Sequence, residues 1–89
     1  MTSTIKIAIV RIINGTPTSN TGKSTFTGVT GYRSCIFVGH GAIGVIQLTS
    51  EGTASTTSFN SSGITVTNGT NSFTVNGLAW WDYPYLVVV

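Results

Sequence analysis

The sequence predicts an all-β fold, a small antiparallel β-sandwich or barrel of about six or seven short strands, and three observations carry that prediction. Val and Ile contribute 9 residues each and Thr 16, so 34 of 89 residues are β-branched. Such side chains are stiff at χ1 and suit a pleated surface better than a helix. Leu and Ala, two of the best helix formers, number only 3 and 4. No stretch sets apolar residues at i, i+3, i+4 and i+7, whereas alternation with a period of two recurs. A length of 89 residues and 9.3 kDa corresponds to one domain, residues 1–89.

The elements follow in chain order. Residues 4–13 are expected to form the first strand, with Ile5, Ile7 and Ile9 on one face. Lys6, Ala8, Val10 and Ile12 share the other face, which turns apolar along the strand as if covered on both sides. Residues 14–23 (NGTPTSNTGK) are rich in turn formers and read as a surface loop. Short strands are expected at 24–30, 33–39 and 42–49, punctuated by Gly31 and by Gly39-His40-Gly41. Residues 50–62 are small and polar apart from Phe59, and read as a second surface loop or a weak edge strand.

Ile64 to Val75 reads as a hairpin, because Asn68-Gly69 suits a two-residue type I′ turn in which both residues take positive φ. That register pairs Thr67 with Thr70 and Ile64 with Phe73. It sets Ile64, Val66, Phe73 and Val75 on one face and Thr65, Thr67, Ser72 and Thr74 on the other. Asn76-Gly77 then turns into a last strand over 78–89, within which Pro84 demands an edge, a bulge or a break. The apolar end, Leu86 to Val89, needs a pairing partner, and strand 4–13 of the same or a neighbouring chain is the candidate.

Composition narrows the function. Only 7% of residues are charged, and the net charge of +2 rests on Lys6, Arg11, Lys23 and Arg33 against Glu51 and Asp82. Scattered cations of this kind disfavour nucleic acid, whose binders cluster many of them against phosphates. One cysteine cannot form an intrachain disulfide, and Cys35 beside Ile36 and Phe37 reads as a small buried hydrophobe. No apolar run reaches the roughly 20 residues of a spanning helix. Residues 5–13 are broken by Lys6 and Arg11 and lack a small-residue cleavage site, so neither a signal peptide nor a transmembrane segment is expected.

Several motifs fail on inspection. Gly22-Lys23-Ser24 ends like a phosphate-binding loop, but that loop needs Gly where Pro17 stands and a helix after it. Gly31 to Val38 has some likeness to an aromatic RNA-stacking strand without its basic residue. A small OB-like nucleic-acid-binding barrel with Tyr32 and Phe37 as platforms is therefore the weakest alternative. Cys35, His40, Glu51 and Asp82 are the only side chains of their kinds. No metal site, cofactor or catalytic set is expected from them, and His40 reads as a turn residue.

The densest feature is Ala79 to Tyr85, with four of the nine aromatic residues and the only Asp. On a strand, Trp80 and Trp81 would point to opposite faces. The outward ring serves as a protein contact or, with Asp82, Tyr83 and Tyr85, as a sugar platform. In the bland alternative these rings pack locally and Asp82 fixes a turn before Pro84. The expected contact residues are Ile5, Ile7, Ile9, Val10, Ile12, Trp80, Trp81, Tyr83, Tyr85, Leu86, Val87, Val88 and Val89.

Low charge, an apolar first strand and an apolar end point to a component of a larger assembly, since charge is depleted at interface cores. In Gly63 to Gly77, in Ser50 to Ser62 and in the terminal strand, the chain resembles small virion proteins of tailed phages, namely head decoration (cement) proteins and short fibre or tail-tip modules. That resemblance is compositional and spans the chain. It implies a non-enzymatic virion structural protein, assembled in the host cytoplasm. Its partners would be itself, as a homo-oligomer with a trimer favoured, and a scaffold such as a capsid or tail. A carbohydrate- or receptor-binding module using Trp80 to Tyr85 is the alternative.

Overall fold

The structure, a computed structural model, describes residues 10–18, 22–79 and 81–88, which form nine strands and no helix. These are β1 (Arg11–Asn14), β2 (Thr16–Thr18), β3 (Lys23–Thr27), β4 (Ser34–Gly39), β5 (Ala42–Leu48), β6 (Ala54–Phe59), β7 (Thr65–Gly69), β8 (Ser72–Asn76) and β9 (Tyr85–Val88). Strands β1-β9-β4-β5-β6 lie side by side in a five-stranded sheet and β2-β3-β8-β7 in a four-stranded one. Every pairing is antiparallel. The all-β fold predicted from composition is thus the fold, with the two sheets packed as a sandwich rather than closed as a barrel.

Strand alternation decides what fills the space between the sheets. Cys35, Phe37, Ala42, Ile46, Leu86 and Val88 point in from one sheet, and Phe26, Phe73 and Val75 from the other. Phe26 is fully buried and stacks on Phe73, with ring centroids 5.5 Å apart, while meeting Phe37 edge-on at 6.1 Å. Phe37 in turn meets Phe59 edge-on at 5.6 Å, so the ring cluster reaches from β3 and β8 across to β6. Gly44 makes room for Phe59, since a Cβ there would stand 2.2 Å from its ring.

The turns place the functional residues. His40 and Gly41 both take positive φ, 52° and 68°, and join Gly39 to Ala42 as a type I′ turn. The β7–β8 hairpin differs from expectation. Asn68 pairs with Phe73 and Gly69 with Ser72, so Thr70-Asn71 is the turn and Asn71 carries the positive φ of 53°. The reason is tertiary: the Asn68 amide is committed elsewhere, accepting the Ala54 N–H and donating to the Ala54 carbonyl, both at 2.8 Å. The slip moves each pairing by an even number of residues, so Ile64, Val66, Phe73 and Val75 still face the core side and the threonines still face out.

Other expectations are corrected. The 14–23 loop contains β2, formed because Gly15 lets the chain cross from one sheet to the other; a Cβ there would lie 2.9 Å from the Phe26 ring. Of the two readings of residues 50–62, the edge strand is the one formed: Ala54–Phe59 pairs with β5 as β6. These two strands raise the count from about six or seven to nine. Residues 78, 79 and 81–84 are not strand, because Pro84 and the Asp82 turn break the extended run. The terminal run pairs as foreseen: β9 lies between β1 and β4 of the same chain. Ile5, Ile7, Ile9, Trp80 and Val89 lie outside the described residues.

Candidate interaction surfaces

Two surfaces carry the expected contact residues. The first is the outer face of the five-stranded sheet. Register places Ile12 beside Val87, Val87 beside Ile36, and Ile36 beside Val45, one aliphatic row across four strands. A second row runs Asn14, Tyr85, Val38, Ile43. Ile12 is 54% exposed, and Val10, Ile36, Ile43 and Val45 are exposed to a similar degree. Ser34, Gln47, Thr56 and Ser58 flank the rows, so among the described residues the apolar centre has a hydroxyl and amide rim, with Arg33 at one end. At one end a cleft of about 520 Å³ is lined by Ile36, Val45 and Val87 together with Tyr32 and Arg33.

Sequence reasoning found Val10, Ile12, Tyr85 and Val87 on this face but missed Ile36, Val38, Ile43 and Val45. Their alternation with Cys35, Phe37, Ala42 and Ile46 was the available signal: both sets are apolar, as in a strand covered on both sides. Leu86 and Val88 are corrected as contact residues, being 0% and 1% exposed in the chain's own core. Phe37 is likewise wholly buried between the sheets, so it is no stacking platform for a base, and Tyr32 packs partly against the same core.

The second surface is the corner formed by Ala79, residues 81–84 and the His40 turn. The Asp82 carboxylate accepts the Ala79 N–H at 2.6 Å while the Asp82 N–H donates to the Ala79 carbonyl at 3.1 Å, which closes the turn. The same carboxylate oxygen meets His40 Nδ1 at 2.7 Å, tying the turn to the β4–β5 hairpin. Pro84 is buried against Gly39, where a Cβ would come within 2.6 Å of the proline, and its carbonyl accepts the Gly15 N–H. These ties leave Trp81 and Tyr83 60% and 91% exposed on the corner. Asp82 thus makes the turn foreseen in the bland alternative. Its pairing with His40, 42 positions away, left no local signal in the sequence.

Among the described residues no hydroxyl hydrogen-bonds to His40, so the His–Asp pair lacks an attached nucleophile. Nor do three or more His, Cys, Asp or Glu side chains gather to hold a metal ion among those residues. Cys35 is buried, and loss of hydration pushes its thiol up to about 11, which keeps it neutral and unreactive near pH 7. No helix of the described residues is long and apolar enough to cross a membrane. Comparisons with protein-family models, with curated proteins and with solved structures give no match to this chain.

Proposed function

We propose that this chain is a non-enzymatic structural protein of a larger assembly, of the capsid-decoration kind, which seats the outer face of its five-stranded sheet on a scaffold protein. The aliphatic row Ile12, Val87, Ile36, Val45 carries the reading. Water-exposed aliphatic surface is relieved by apolar contact at roughly 25 cal/mol per Å², and an apolar centre with a polar rim is the usual build of a protein interface. Arg33, without an ion-pair partner among the described residues, suits a scaffold surface that sets a carboxylate beside an apolar patch. The virion setting draws on the compositional resemblance of residues 50–77 to phage decoration proteins.

The test is mass spectrometry of particles purified from the cells that make this chain, with wild type and an Ile36→Thr/Val45→Thr variant compared. Wild type is expected at a fixed ratio to the shell subunit, and the variant is expected to wash off while remaining folded. Absence of the wild-type chain from particles overturns the virion reading; equal retention of the variant overturns the face. A second reading, a sugar platform, is favoured by the exposure of Trp81 and Tyr83 on one rigid corner. It requires glycan retention that Trp81→Ala abolishes without unfolding the chain.

A further inference from the structure

A β-sandwich can grow at its edges, because an edge strand presents backbone N–H and C=O groups that have no partner. Among the described residues the two sheets end in four edge strands, β1, β6, β2 and β7. Three of them are blunted. The Asn68 side chain of β7 occupies both backbone groups of Ala54 in β6, which stitches those two edges together. Edge strand β2 is three residues long and contains Pro17, which has no N–H to offer. Strand β1 differs: it has no proline, it pairs with β9 alone among the described residues, and its Ile12 ends the aliphatic row.

We propose that β1 pairs antiparallel with β1 of a second copy about a two-fold axis, joining two five-stranded sheets into one. This surface is an edge, separate from the face that carries the assembly reading, so either can fail without the other. A strand meeting its own copy in antiparallel sense is self-complementary, as an isologous contact requires. Cross-strand partners share a face, so only registers that pair residues of equal parity keep both cores inside. Setting Arg11 opposite Arg11 would oppose like charges. Setting Ile13 opposite Ile13 would put each Ile12 beside Asn14 and break the aliphatic row. Setting Ile12 opposite Ile12 avoids both, and places Val10 opposite Asn14. The row then runs unbroken through both copies, from Val45 to the Val45 of the second copy.

Light scattering of the wild-type chain is expected to give twice 9.3 kDa. Oxidation of I12C is expected to yield a covalent dimer, since paired Cβ atoms across an antiparallel ladder lie about 4.5–5.5 Å apart. The native Cys35 is buried and leaves the readout clean. N14C alone is expected to stay uncrosslinked, and the V10C/N14C double variant to crosslink. A wild-type monomer at high concentration overturns the proposal without use of any variant. So does a dimer in which I12C and N14C crosslink equally. Loss of the dimer in Ile36→Thr/Val45→Thr with no I12C crosslink would overturn this edge while leaving the face in place.

Discussion

The two solvent faces of the sandwich are built alike and differ in chemistry. Across the four-stranded sheet the register lines up Thr16, Thr25, Thr74 and Thr67. Across the five-stranded sheet it lines up Ile12, Val87, Ile36 and Val45. All eight residues are β-branched, so both rows satisfy the same backbone demand. Threonine and valine differ by a hydroxyl in place of a methyl, and that difference sets the fate of each face. The threonine row satisfies itself: Thr25 and Thr74 share a hydrogen bond of 2.9 Å, and the Asn76 amide donates to Thr67. The aliphatic row has no such recourse in water, and contact with another apolar surface would relieve it. Propensity therefore made both sheets, while side-chain polarity decided which one is finished as it stands.

The largest perturbation tests what the two faces share. Phe26→Ala removes the ring that links Phe73 of one sheet to Phe37 of the other, and is expected to cost about 3–5 kcal/mol in chemical denaturation. A loss below about 1 kcal/mol would mean the sheets do not depend on this ring for their packing. Asn68→Ala removes the clamp on Ala54 and is expected to cost about 1–2 kcal/mol, with faster hydrogen exchange concentrated at the Ala54 amide. Unchanged exchange there would remove the clamp from the account of the β6 and β7 edges. Exchanging the faces has the smallest effect on stability and the clearest on association. Thr25→Val/Thr74→Val should change stability by no more than about 1 kcal/mol. Light scattering should show it associating beyond the wild-type mass, whereas Ile36→Thr/Val45→Thr should keep the wild-type mass and lose its retention on the scaffold. If both variants matched wild type, the contrast between the rows would have no consequence for contact.

Much of this was legible from residue order alone. The composition of 34 β-branched residues determined the fold class, and the turn residues Gly39-His40-Gly41 marked the β4–β5 hairpin at its correct place. Alternation in Ile64 to Val75 assigned faces correctly even though the expected turn was two residues early, because side-chain facing depends only on parity. Tertiary structure decided the rest. Asn68-Gly69 is a good turn pair locally, yet the Asn68 amide forms two hydrogen bonds to Ala54, 14 positions back, and the turn moved to Thr70-Asn71. His40 and Asp82 are brought together by the packing of Gly39 on Pro84, a contact between segments far apart in sequence. Leu86 and Ile36 are both aliphatic residues within strands, but one is sealed in the core and the other faces water. Periodicity says that neighbouring side chains lie on opposite faces; only the position of the second sheet says which face is inside.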